Sequence, residues 1–192
     1  MKCLILASGF GTRLYPLTRD TAKALIEYKG KPLLTHIVEK VPRNVDILLV
    51  TNRKFQADFR RWRECIDRRV EAAVEDVWTE KDKKGALGSL VFGIEQGNIS
   101  EDLLVLASDD YFEFDLAQFI AAYSGKNPLV AVHDIGDKKR ASQFGVVEVE
   151  KGRIVKCEEK PIRPKASLIG IAPEIVNLVR HRMSESQSIE RC

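Results

Sequence analysis

The 192-residue sequence predicts an α/β fold, a doubly wound and mostly parallel Rossmann-like sheet that carries a small antiparallel hairpin insertion. Three observations predict it. Short apolar runs alternate with stretches whose apolar residues recur at helical spacing. The first apolar run, Cys3–Ala7, passes directly into a glycine-rich loop. From Phe144 onward two β-like runs close around Lys151-Gly152, a hairpin signal rather than a crossover.

The expected strands, in chain order, are Cys3–Ala7, Asp46–Thr51, Val70–Val74, Leu103–Ala107, Leu129–Val132, Phe144–Val149 and Arg153–Cys157. Helices lie between several of them. Phe55, Phe59, Trp62 and Ile66 step by four, three and four along one helical face, which leaves Arg60, Arg61 and Arg63 for solvent. Gly85–Gln96 and Leu116–Tyr123 are two further helices. Strand–helix–strand order implies parallel neighbours, and ligands of such sheets bind outside the carboxyl ends of the strands. Residues just after Ala7 and just after Ala107 are therefore the first suspects.

Composition narrows the class. Hydrophobic residues make up 44% and charged residues 31% of the chain, which suits one globular domain over residues 1–192. A net charge of +3, spread along the chain, argues against a nucleic-acid partner. No apolar run approaches the ~20 residues of a membrane span, so no membrane partner is expected. Cys3, Cys65, Cys157 and Cys192 form no CxxC pair and read as free thiols of a cytoplasmic protein. His36, His133 and His181 lack ligand-like spacing.

The densest chemistry is Leu6-Ala7-Ser8-Gly9-Phe10-Gly11-Thr12-Arg13-Leu14-Tyr15-Pro16-Leu17-Thr18, followed by Lys23. Glycines after a buried strand let backbone N–H groups approach a phosphate closely. Thr12 adds a hydroxyl, Arg13 a planar fork for phosphate oxygens, and Lys23 a second cation. A Walker loop is absent, and Leu14 stands where a dinucleotide fingerprint needs its third glycine.

This stretch resembles the signature of the sugar nucleotidyltransferases, such as the glucose-1-phosphate thymidylyl- and uridylyltransferases. Gly9 to Thr18, then Lys23 and Leu25, then Gly30-Lys31-Pro32-Leu33-Leu34 match its pattern, with Ala22 where proline is usual. Gly85-Ala86-Leu87-Gly88-Ser89-Leu90 is similar to the family's helix start beside the base. Leu106-Ala107-Ser108-Asp109-Asp110 is similar to its strand ending in a metal-binding aspartate. Gly145 and Glu158-Glu159-Lys160-Pro161 are similar to its sugar-side elements, so the hairpin falls on the acceptor side.

The resemblance implies transfer of NMP from an NTP to a sugar-1-phosphate, with release of pyrophosphate. It implies a nucleotide-binding half over about 1–125, a sugar-phosphate half over about 126–182 and a polar tail over 183–192. Arg13 and Lys23 would be catalytic. Leu6, Ala7, Ser8, Gly9, Gly11, Thr12, Arg13, Lys23, Gly88 and Asp109 would hold the nucleotide. Gly145, Glu159 and Lys160 would hold the sugar phosphate, and Asp109 would carry Mg²⁺. The expected partners are an NTP, with dTTP or UTP favoured, and a sugar-1-phosphate; a homo-oligomer is left open.

Two departures keep other readings in view. A second metal-binding aspartate in a D-[IV]-G-T context is not found, and the acceptor half reads as shortened near Ser167–Ala172. These motivate a non-catalytic nucleotide-binding or regulatory member, or a nucleotidyltransferase with a non-sugar phosphate acceptor such as phosphocholine or inositol phosphate.

Overall fold

Cys3, Leu4 and Ile5 are consecutive and all fully buried, a pattern that only a strand covered on both faces can satisfy. They form the middle of β1 (Lys2–Leu6), the central strand of the molecule. Burial also pushes the Cys3 thiol well above the usual range. The computed structural model describes residues 1–170 together with the backbone of residues 178 and 179. The expected polar tail, Met183–Cys192, lies outside the described residues.

After β1 the chain forms the short pair β2 (Glu27–Tyr28) and β3 (Lys31–Pro32), then α1 (Leu33–Lys40), β4 (Asp46–Asn52), α2 (Gln56–Glu64), β5 (Glu71–Glu75) and α3 (Gly85–Gln96). β6 (Leu103–Ala107) and α4 (Leu116–Ala121) follow. The last part comprises β7 (Val132–Asp134), α5 (Lys138–Ala141), β8 (Gly145–Glu150), β9 (Arg153–Glu159), β10 (Leu168–Gly170) and β11 (Leu178–Val179). The main sheet has the order β11-β6-β1-β4-β5. β6, β1, β4 and β5 run parallel, and β11 runs antiparallel to β6.

Two apolar layers sandwich this sheet. One contains Ile5, Leu49, Leu34, Ile37, Phe59 and Trp62, so α1 and α2 share a face. Trp62 Nε1 donates to Thr35 Oγ1 at 2.9 Å and ties the two helices together. Leu4, Leu48, Val50 and Ala73 form the other layer, under α3. A Cβ at Gly93 would stand 2.7 Å from a Val50 methyl and 2.8 Å from a Leu4 methyl, so glycine lets α3 lie close on β1 and β4. Helices on both faces of a parallel sheet are the doubly wound architecture that the sequence predicts.

A separate four-stranded sheet, β7-β10-β8-β9, holds the hairpin. Lys151 and Gly152 both have positive φ (48° and 76°), the backbone of a tight two-residue turn. β7 lies later than the expected Leu129–Val132. Leu129 packs against the first apolar layer instead, and β10 pairs with Val132–Asp134. α1 was not among the helices read from the sequence, although Leu34, Ile37, Val38 and Val41 have helical spacing and are buried. Arg60 and Arg61 face solvent as expected, whereas Arg63 is half-buried.

Candidate functional site

The glycine loop leaves the carboxyl end of β1 and is pinned on both sides. Ala7 N–H donates to the Val50 carbonyl at 2.8 Å, and Ser108 N–H donates to the Leu6 carbonyl at 3.1 Å. Gly11 then turns into the left-handed region at φ 63°. A Cβ there would meet Thr18 Cγ2 at 3.1 Å and Lys23 Cβ at 3.3 Å. The fully buried Thr18 donates its hydroxyl to the Gly11 carbonyl at 2.6 Å, which locks the turn. Gly9 is exposed with open space where its Cβ would be, a surface on which a ligand could press against backbone.

A cleft of about 310 Å³ lies over this loop. Its lining brings together Leu6, Ala7, Gly9, Gly11, Thr12 and Arg13 from the loop with Lys23 and Asp109. Arg13 is exposed and has no ion pair or hydrogen bond from its guanidinium among the described residues. Lys23 Nζ pairs with Asp109 Oδ2, and both side chains keep about a third of their surface open (39% and 35%). Beside them, burial and then the Asp109 charge push the Asp110 carboxyl above the usual carboxylate range, against the pull of Lys23.

Ser8 and Gly88 lie outside the lining of this cleft. Ser8 Oγ shares a 2.7 Å hydrogen bond with Ser89 Oγ of α3, and the Ser8 carbonyl accepts from Asn52 Nδ2 at 2.9 Å. A Cβ at Gly88 would stand 2.6 Å from Lys84 Cβ, so its glycine is demanded by its own helix turn.

Gly145, Glu159 and Lys160 do come together, at one end of the second sheet. Gly145 opposes Glu159 in register, Lys160 N–H donates to the Phe144 carbonyl at 3.0 Å, and Lys160 Nζ pairs with Glu159 Oε1 at 2.7 Å. None of the three lines the cleft.

Sequence reading passed over four residues of this region. Glu80 and Lys83 form part of the cleft wall. Asn52 and Glu75 end β4 and β5. Their signal was a polar residue closing an otherwise apolar run, at the end of the sheet where ligands bind.

A profile of the nucleotidyl transferase family matches residues 2–182. The chain belongs to that family. The nucleotidyl transferase is 32% identical over 171 residues to the bifunctional protein GlmU of Methanocaldococcus jannaschii, covering 88% of this chain and 38% of that protein. It is 28% identical to the UTP–glucose-1-phosphate uridylyltransferase AglF of Haloferax volcanii, covering 88% of this chain and 69% of AglF. It is 30% identical to mannose-1-phosphate guanyltransferase beta-B of Xenopus laevis, covering 84% of this chain and 45% of that protein. The chain thus spans less than half the length of the first and third of these relatives. Its fold also matches a UDP-glucose pyrophosphorylase solved with UDP-glucose, with a TM-score of 0.73, 20% identity, 88% of this chain and 73% of that chain covered.

The Mg²⁺ expected at Asp109 can be tested against the residues present. Among the described residues no cluster of three or more His, Cys, Asp or Glu side chains forms. Asp109 nevertheless reaches the cleft, and its carboxylate already faces a cation, the Lys23 ammonium. A single open carboxylate suits a hard cation whose remaining ligands are water and phosphate oxygens.

Proposed function

We propose that this nucleotidyl transferase transfers NMP from an NTP to a sugar-1-phosphate and releases pyrophosphate. One observation carries the reading. A glycine loop at the carboxyl end of β1, with an arginine that is unpaired among the described residues, shares its cleft with Lys23 and with Asp109 beyond the carboxyl end of β6. That arrangement suits the charge of a triphosphate.

An oxygen of the acceptor phosphate attacks the α-phosphorus in line. The bond from that phosphorus to the bridging oxygen of the β-phosphate breaks, and pyrophosphate leaves with the electron pair. No protein nucleophile is needed. Loop N–H groups around Gly9 and Gly11 cradle the triphosphate. Arg13 clamps the β- and γ-phosphates and stays with the departing pyrophosphate. Lys23 swings from Asp109 to the α-phosphate, where negative charge builds during transfer. Asp109, released from Lys23, would hold Mg²⁺, which supplies charge neutralisation and orients phosphate oxygens. Glu159 and Lys160 would receive the acceptor, Lys160 at its phosphate and Glu159 at sugar hydroxyls. We place the protein in the cytoplasm on its free thiols Cys3 and Cys65.

The test is a pyrophosphate-release screen of NTPs against several sugar-1-phosphates with Mg²⁺. Release that depends on both substrates is the expected result. A second reading, nucleotide binding without transfer, is favoured by the Glu159–Lys160 pair being satisfied by itself and away from the cleft lining. Saturable NTP binding with no pyrophosphate from any acceptor would select it. Release with phosphocholine or inositol phosphate alone would instead select a non-sugar acceptor.

A further inference from the structure

The connection from β5 to α3 crosses the carboxyl edge of the main sheet and reaches the glycine loop. Its start is pinned where Arg53 N–H donates to the Val77 carbonyl at 3.1 Å. Its end is fixed by α3, whose Ser89 shares a hydrogen bond with Ser8. Between these points lies a single 3₁₀ turn, Glu80–Asp82. Thr79 Oγ1 donates to Asp82 Oδ2 at 2.6 Å and closes that turn. Gly85, at φ 73°, then swings the chain into α3.

This connection carries three lysines, and they part company. Lys84 Nζ lies 4.6 Å from the centroid of the Phe92 ring, so its ammonium is held along α3. Lys81 is exposed and stays out of the cleft lining. Lys83 enters the lining, in the company of Arg13 and Lys23. It pairs there with Glu80, which lines the same cleft. Both side chains of the pair remain open to solvent, at 52% and 37%.

A lysine paired three residues away is ordinary on a surface. Here the pair sits in a concavity where two more cations converge. Arg13, Lys23 and Lys83 would repel one another without an anion among them. In the free protein Asp109 holds Lys23 and Glu80 holds Lys83. An exposed ion pair contributes little to stability, so Lys83 can exchange Glu80 for a phosphate oxygen at small cost. Glu80 then returns to water.

We propose that Lys83 is a further phosphate-binding residue, that it grips the β- and γ-phosphates of the NTP, and that Glu80 is its built-in competitor. This rests on the nucleotidyl-transfer reading, which lays the triphosphate on the Gly9–Arg13 loop and gives the α-phosphate to Lys23. Lys23 is held on the β6 side of β1, whereas Lys83 arrives from the connection that follows β5, on the other side in strand order. The two lysines therefore take opposite ends of the triphosphate. Once the α-phosphorus is transferred, the pyrophosphate is left between Arg13 and Lys83. A grip on phosphates alone acts equally on every nucleotide, whatever its base.

Calorimetric titration of the full chain with GTP, ATP, CTP, UTP, dTTP and inorganic tripolyphosphate, with Mg²⁺ and no acceptor, tests this. Lys83→Ala is expected to weaken every NTP that binds, and tripolyphosphate with them, by a common factor of about ten, the worth of one charge-assisted contact. Lys83→Arg is expected to keep most of the affinity. Glu80→Gln is expected to act in the opposite direction and tighten NTP binding about threefold, within the range of an exposed ion pair. Opposite signs mark competition, because loss of a merely structural pair would act the same way from either side. Melting temperatures without ligand are expected to stay level in all three variants. Unchanged NTP affinity in Lys83→Ala, a loss confined to one base or absent with tripolyphosphate, or binding in Glu80→Gln no tighter than in wild type would each overturn the proposal. Failure of wild type to bind any NTP would overturn the nucleotidyl-transfer reading itself, and this inference with it, whereas wild-type binding with the wrong variant pattern overturns only the roles of Lys83 and Glu80.

Discussion

Lys23 and Asp109, 86 positions apart in the chain, form an ion pair inside the cleft. Before any ligand arrives, each neutralises the other. An incoming phosphate competes for the lysine, and a cation competes for the aspartate, so the two events assist one another. Lys23→Ala is expected to slow turnover by about 10²-fold or more, since it also leaves the Asp109 charge unopposed beside the phosphates. Asp109→Asn is expected to weaken the Mg²⁺ dependence. The double variant is expected to lose less than the product of the two single losses, because contacting residues couple. Pyrophosphate release across a Mg²⁺ titration measures all three, and independent, multiplicative losses would mean that the pair has no shared role.

Arg13 separates function from folding. It is exposed, and its guanidinium has no partner among the described residues, so Arg13→Ala is expected to leave the melting temperature within experimental error. Turnover is expected to fall about 10²–10³-fold, the loss typical of a group that stabilises transition-state charge. Parallel melting and activity measurements check this; an equal turnover would remove Arg13 from the mechanism.

Gly11 is expected to behave in the opposite way. Gly11→Ala forces a side chain into a left-handed turn and against Thr18, at a cost of about 1–2 kcal/mol from the backbone alone. A lower melting temperature, together with weaker NTP binding, is the expected outcome. A variant as stable as wild type would mean that the turn relaxes freely.

Asn52→Ala removes two hydrogen bonds from a sealed site and strands the Ser8 carbonyl and the Phe55 N–H. The expected destabilisation is about 2–4 kcal/mol, read from denaturant unfolding. Because Ser8 heads the glycine loop, NTP affinity should fall as well, although Asn52 does not line the cleft.

Lys160→Ala addresses the second sheet. It is expected to raise the KM for the sugar phosphate about tenfold, the worth of one charge-assisted contact, while NTP affinity stays unchanged. Steady-state kinetics with each substrate varied in turn would show it. Equal values in both proteins would leave Lys160 as nothing more than the partner of Glu159.

The parts of this protein legible in the sequence were those written locally. The Gly9–Arg13 loop, Lys23 and Asp109 were named from spacing and resemblance, and the structure gathers all of them in one cleft. Gly85–Gln96 was bounded correctly because its glycine start and apolar period lie in one continuous stretch. What escaped depends on strand pairing. Asn52 and Glu75 meet only because β4 and β5 align in register, and no short window contains both. Gly88, expected as a ligand contact, has Lys84 as its close neighbour in the helix turn. β10 escaped because Leu168–Gly170 is too short to show a period and acquires its place from β7 and β8.

Cys3 stands in the strand from which the whole cleft is hung, and no solvent reaches it. Cys65, by contrast, is exposed. A thiol-reactive reagent will therefore mark Cys65 at once, the half-buried Cys157 later, and Cys3 only when the central strand parts from its neighbours. In a Cys157→Ser background the slow phase of labelling becomes a clock for global opening. Any nucleotide that binds the closed protein slows that clock in proportion to one plus its concentration over its dissociation constant. Ligand ranking can then be read from a reagent's colour change, with no turnover and no acceptor.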